Sequence, residues 1–260
     1  MAEILRLENL VVRFGGKAGV NAVDDISLSI GRGETLALVG ESGCGKSTLA
    51  RAMMRVQKVA SGSIVFDGED ITHLSERALR PIRRRMQMIF QDPFASLDPL
   101  VSIGNSILEP RRAFSLPAGD DELDELMTTV GLAAEYRTRK PGRLSGGQRQ
   151  RVGIARALSV EPELVVADEP VSSLDVSMQA QILNLLKRSS RTRGIALLFI
   201  SHDLRAVRFL ADRVAVMEKG KIVETGTTEE ILDHARHPFT QRLIAAMPQI
   251  NSERTLPAQS

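Results

Sequence analysis

At 260 residues the chain is long enough to bury a sizeable core, as one large domain or two closely packed lobes. Its 34 basic and 32 acidic residues nearly cancel to +2, which argues against a nucleic-acid partner; Arg80, Arg83, Arg84 and Arg85 read as a solvated helix end. The single cysteine excludes an internal disulfide and fits a reducing cytosol. No apolar run approaches the roughly 18 residues of a membrane span, and the N-terminus lacks a signal-peptide layout, so a soluble, intracellular chain is expected.

The first third reads as strands. Ile4 to Phe14 and Ala22 to Ile30 alternate apolar and polar residues, and Ser63 to Phe66 follows a Ser-Gly turn, which predicts an antiparallel sheet. Thr35 to Val39 is a short apolar run between Gly33 and Gly40, as a buried parallel strand would be. A helix is predicted from Lys46 onward. The segment between them, Gly40-Glu41-Ser42-Gly43-Cys44-Gly45-Lys46-Ser47-Thr48, fits the phosphate-cradling pattern G-x-x-x-x-G-K-[ST]. Its glycines let the backbone turn tightly and aim N–H groups at anionic oxygens, and the helix N-terminus adds partial positive charge. Lys46 is placed to reach β- and γ-phosphates, Ser47 to ligate Mg²⁺, and Thr48 to sit near the α/β-phosphates. Cys44, beside Lys46 and a helix N-terminus, has neighbours that favour thiolate, but it reads mainly as a small residue tolerated in the loop.

Arg85 to Phe90 is the next predicted strand, running into Gln91-Asp92-Pro93. From about Pro99 to Val160 the character is helical, with helices over Asp121 to Val130 and over Ser145 to Leu158, the latter with Ser145 as N-cap. Strands return at Leu164 to Ala167, Ile195 to Ile200 and Val214 to Met217, with helices Val176 to Arg188 and Leu204 to Leu210 between them. Such alternation predicts a parallel sheet flanked by helices. Ligands of open α/β sheets bind at the carboxyl ends of strands, so Asp168, Glu169 and His202 arrive beside the glycine-rich loop. The methionines read as core filler, His234 and His237 lack further metal ligands, and Asn251 to Ser260 is expected to be disordered.

Leu144-Ser145-Gly146-Gly147-Gln148, following the glycine-rich loop in this order, resembles the ATP-binding cassette (ABC) ATPases. The resemblance implies an α/β P-loop NTPase fold with an antiparallel β subdomain and an inserted helical subdomain. The cassette is expected over residues 1–250, with core 1–95 and 161–235, helical subdomain 96–160, and a C-terminal family segment and tail over 236–260. It implies ATP and Mg²⁺ as ligands. Asp168 would hold Mg²⁺, Glu169 would take the proton of the attacking water, and Gln91 would ligate Mg²⁺ or that water. His202 would bond the γ-phosphate and orient the water and Glu169. It further implies a head-to-tail dimer in which Ser145, Gly146, Gly147 and Gln148 of one chain cap ATP on the other, with Ser172-Ser173-Leu174-Asp175 as the loop between the sites. Phe14 is either the adenine-stacking aromatic or simply a strand end.

Arg83 to Pro99, Val171 to Ser177 with Gln179 to Leu186, and His237-Pro238-Phe239-Thr240 look like the ATPases of dipeptide, oligopeptide and nickel importers. That branch implies a second ATPase subunit (identical or different), two permease subunits, and an indirect extracytoplasmic solute-binding protein. It also implies a peripheral place on the cytoplasmic face of the inner membrane. Relatives with a cysteine-bearing extension carry an iron–sulfur cluster; with Cys44 alone, none is expected. Cassette proteins of translation or DNA repair bring tandem cassettes, coiled coils or zinc cysteines, which this sequence does not show. A nucleotide-gated protein without turnover is disfavoured by the intact Glu169 and His202.

Overall fold

The computed structural model describes residues 2–15, 19–92, 97–172 and 174–246; the tail from Asn251 lies outside them. Two sheets form the scaffold. Strands β1 (Glu3–Phe14), β2 (Val20–Gly31), β4 (Ser61–Phe66) and β5 (Glu69–Asp70) make an antiparallel sheet in the order β2-β1-β4-β5. The second sheet has the order β10-β9-β3-β8-β7-β6, from β3 (Thr35–Val39), β6 (Met86–Ile89), β7 (Leu164–Asp168), β8 (Ala196–Ile200), β9 (Arg213–Glu218) and β10 (Lys221–Thr227). All its pairings are parallel except that of β10 with β9.

Every residue of β3, β7 and β8 is buried, as strands covered on both faces must be. The two-residue period of a strand divides their side chains between two cores. Leu36, Leu38, Leu164, Val166, Leu198 and Ile200 face the antiparallel sheet and helix α1 (Lys46–Met53). Ala37, Val39, Val165, Ala167, Leu197 and Phe199 face the other way, into a core shared with α3 (Ile103–Ala113), α4 (Asp120–Val130), α5 (Gly146–Leu158), α6 (Val176–Arg193) and α7 (Leu204–Leu210). Between β6 and β7 the described residues are helical or irregular, with 3₁₀ turns at Ala134–Thr138 and Pro141–Arg143 and no strand.

Two elements and one charge cluster differ from expectation. Helix α2 (Glu76–Arg85) holds Arg85, which therefore ends a helix rather than starting a strand; Pro81 inside it breaks the helical pattern ahead of the arginine-rich end. The arginine cluster is not merely solvated. Arg83 pairs with Glu76, Arg85 pairs with Asp67 and Glu163, and Arg80 donates to the Ala113 carbonyl. Strand β10 is a half-exposed antiparallel edge without clean alternation, so it left little signal. Its Glu224 accepts from Arg236 N–H (2.8 Å) and His237 N–H (3.2 Å), which fastens α9 (Pro238–Ala245) to the sheet.

Candidate functional site

Four neighbouring parallel strands, β3, β8, β7 and β6, end on the same edge of the sheet. β3 leads into the glycine-rich loop, and His202, Asp168 with Glu169, and Gln91 follow β8, β7 and β6. A cavity of about 460 Å³ opens there, lined by Ala22, Ser42, Gly43, Gly45, Lys46, Ser47, Thr48, Gln91, Glu169 and His202. Ala22 on β2 carries no chemical signal, so sequence reading missed it. Gly45 (φ 112°) precedes α1 in the left-handed region, and a Cβ there would meet the Ala22 carbonyl oxygen at 2.1 Å, so the turn admits glycine alone.

Lys46 is only 6% exposed, and its ammonium donates to the carbonyls of Gly40 and Glu41, both at 2.8 Å. Ser47 Oγ donates to Asp168 Oδ1 at 3.1 Å. Asp168 is buried, which pushes its carboxyl above the usual carboxylate range; the Ser47 hydrogen bond opposes this and the Glu169 charge reinforces it. Glu169 has φ 44°, a left-handed conformation that costs a non-glycine residue about 1–2 kcal/mol. The kink ends the alternation of β7 and sends the carboxylate into the cavity. There Glu169 Oε2 lies 3.5 Å from Gln91 Nε2 and 3.3 Å from His202 Nδ1. These contacts are loose, as catalytic hydrogen bonds often are before substrate binds.

Cys44 does not lean toward thiolate. Burial pushes its thiol up, against the charge of Lys46, whose Nζ stands 3.9 Å from Sγ. Lys46 shares its donors between this long contact and the carbonyls of Gly40 and Glu41, and a half-buried thiolate is left undersolvated.

Ser145 to Gln148 do not line this cavity. Ser145 caps α5, accepting from Gln148 N–H (3.3 Å), while the Gln148 side chain returns to accept from Ser145 N–H (2.9 Å). Gln148 Nε2 also donates to the Tyr136 hydroxyl at 3.0 Å. Phe14 ends β1 opposite Val20, is 49% exposed, and is not among the lining residues.

The family model for ABC transporters matches residues 23–172. The chain belongs to that family and is an ATP-binding ATPase. More narrowly, residues 223–260 match the oligopeptide/dipeptide transporter C-terminal region. Among curated relatives, the oligopeptide transport ATP-binding protein AppF of Bacillus subtilis (strain 168) is 48% identical over 240 residues, 90% of this chain and 73% of AppF. The glutathione import ATP-binding protein GsiA of Escherichia coli (strain K12) is 47% identical over 265 residues, 98% of this chain; the chain spans only 42% of GsiA. Among solved structures, the dimeric post-hydrolysis state of the ATP-binding cassette MJ0796 bound to ADP and Pi superposes with a TM-score of 0.79 at 28% identity, covering 86% of this chain and 98% of that one.

Proposed function

We propose that the chain is the ATP-hydrolysing subunit of an importer of peptide-class solutes, acting as a head-to-tail dimer beneath two permease subunits on the cytoplasmic face of the membrane. The observation that carries the reading is the Glu169 carboxylate, turned into the cavity opposite Lys46 and flanked by Gln91 and His202. Lys46 exchanges its carbonyl partners for β/γ-phosphate oxygens, and the loop N–H groups take the remaining charge. Water attacks the γ-phosphorus, its proton passes to Glu169, and the bond to ADP breaks; His202 and Gln91 hold the carboxylate and the water in line.

The Ser47–Asp168 pair fits Mg²⁺. It offers a hydroxyl beside a buried carboxylate that nothing fully compensates, and no cluster of three or more acidic, histidine or cysteine side chains among the described residues would hold a metal alone. A cation that keeps waters and shares substrate phosphates suits such a sparse set. When bound, Mg²⁺ neutralises charge on the phosphate oxygens.

Residues 96–160 read as the helical subdomain that carries Ser145 to Gln148 to the partner's ATP, and Phe14 as the contact for its base. No helix among the described residues is long and apolar enough to cross a membrane, so transport requires a permease. A groove of about 420 Å³ between β6 and helices α3 and α5, with Met86, Met88, Ile89, Phe90, Pro110 and Phe114 in its lining, supports such a partner; Phe90 is 45% exposed and immediately precedes Gln91. AppF and GsiA support the peptide class.

Replacing Glu169 with Gln is expected to preserve ATP binding while cutting turnover by about 10²-fold or more, the scale of a lost general base. Steady-state hydrolysis alongside calorimetric ATP titration checks this, and wild-type turnover in the variant would remove Glu169 from the role.

A further inference from the structure

Glu169 and Gly147 lie in regions that the cavity does not unite, yet a short packed path joins them. Ser172 donates to the Glu169 carbonyl through its N–H (3.3 Å) and its hydroxyl (3.1 Å). Gln179, in the first turns of α6, donates from Nε2 to the carbonyls of Val171 (3.1 Å) and Leu174 (3.0 Å). Asp175 caps the same helix by accepting from Met178 N–H at 2.9 Å. The loop after Glu169 is thus fastened to the start of α6.

That start of α6 also touches the N-terminus of α5. A Cβ built on Gly147 would lie 2.0 Å from Met178 Cε and 3.4 Å from its Sδ, and one on Gly146 would meet Leu174 Cδ2 at 3.6 Å. Gly147 is helical and needs no special φ. The end of the flexible Met178 side chain occupies the place where a methyl group on Gly147 would go. Farther along, Arg151 donates to Gln181 Oε1 at 2.6 Å and holds α5 against α6.

We propose that Met178 is a positioning residue. It seats Ser145–Gln148 on α6, so that the segment one chain offers to its partner's nucleotide keeps a fixed relation to that chain's own Glu169. The inference rests on the reading of Ser145–Gln148 as a nucleotide contact made across the dimer. Packed contacts can carry coupling between sites. Here they run from Glu169 through Ser172 to the loop whose Val171 and Leu174 carbonyls Gln179 holds, and from the same turn of α6 through Met178 to Gly147. An unbranched thioether suits the irregular gap against a helix backbone.

The test measures ATP hydrolysis by the full chain carrying each of four changes. Met178→Ala is expected to lower kcat about tenfold or more, within the scale of a misplaced contact remote from the chemistry. Nucleotide affinity should stay unchanged, because Met178 does not line the P-loop cavity. Met178→Leu refills the gap and is expected to restore most of the rate. Gly147→Ala pushes the flexible end of Met178 aside and is expected to lower kcat in part, and adding Met178→Ala should recover some of that loss, since the displaced side chain is gone. Recovery supports the assignment even if Met178→Ala alone folds poorly, and no recovery overturns it. Ser145→Arg runs in parallel. Wild-type hydrolysis by Ser145→Arg would end the cross-dimer reading and this inference with it. An inactive Ser145→Arg beside a folded Met178→Ala at wild-type rate would overturn the role of Met178 alone.

Discussion

Asp168 shows how a functional residue is held at a cost to the fold. It is 4% exposed, and burial raises its carboxyl above the usual range with Glu169 adding to the effect. Because the folded pKa exceeds the unfolded value of about 3.9, the native state binds the proton more tightly, and stability falls as pH rises through the folded pKa. Asp168→Asn removes the ionisation yet keeps an acceptor for Ser47. The nucleotide-free variant is therefore expected to melt higher than wild type at about pH 8, the gap closing toward about pH 4, while ATP turnover drops. Thermal melts across pH test this; a lower melting point for the variant at the alkaline end would show the ionised carboxylate to be stabilising. Single residues were the most legible scale. The order of Gly, Lys and Ser around Lys46, and the acids ending β7, identify themselves because phosphate chemistry needs those groups at that spacing. For Cys44, the neighbours in sequence announce a positive environment but not the burial that outweighs the charge of Lys46. Ala22 and the left-handed Glu169 left no trace, because backbone geometry and inert side chains carry no local code.

At the scale of elements, the amino end of the parallel sheet is tied to the antiparallel sheet by four charges. Arg32 and Arg85 each pair with both Asp67 and Glu163. Arg85 also lies over the Phe66 ring at 4.9 Å. Isolated exposed pairs contribute little, but Arg85 bridges two carboxylates and packs on an aromatic face. Arg85→Ala is expected to cost about 1–2 kcal/mol, read as a lower urea midpoint at unchanged m-value. The Arg85 guanidinium holds both the Glu163 and Asp67 carboxyls below their usual range. Their stabilisation is present above the unfolded carboxyl pKa and lost as pH falls through the lower folded values, so the deficit of Arg85→Ala should shrink in acid. An unchanged midpoint at neutral pH would show the network to be solvated. None of this was readable beforehand: the partners are distant in sequence, and charge runs look alike whether paired or free. The central strands were readable because burial on both faces leaves unbroken apolar runs. Of α2 only the arginine-rich end was readable, the rest being interrupted by Pro81, and β10, only half covered, was not.

At the scale of the molecule, the most consequential fact is a separation. The cavity gathers Lys46, Ser47, Gln91, Glu169 and His202, while Ser145 to Gln148 cap a helix that does not line it. If two chains complete each other's sites, lesions should complement across the dimer. Lys46→Ala removes the cation that faces the phosphates, and Ser145→Arg places a bulky charge where the partner's ATP is to be capped. Each variant alone puts one lesion into both sites of its homodimer and should be inactive. In a mixed dimer, the P-loop of the Lys46→Ala chain meets the altered segment of the Ser145→Arg chain, so both lesions fall in one site. The other site joins an intact P-loop to an intact segment. Mixing the two inactive proteins should therefore restore part of the ATPase rate, and the restored rate should track the fraction of mixed dimers seen by native mass spectrometry. A mixture rich in mixed dimers that stays inactive would mean either that the chains do not share their sites or that one complete site does not turn over alone. Trapping ATP with Glu169→Gln in the Ser145→Arg chain separates these: a shared intact site still occludes nucleotide in the mixed dimer, and an unshared one does not.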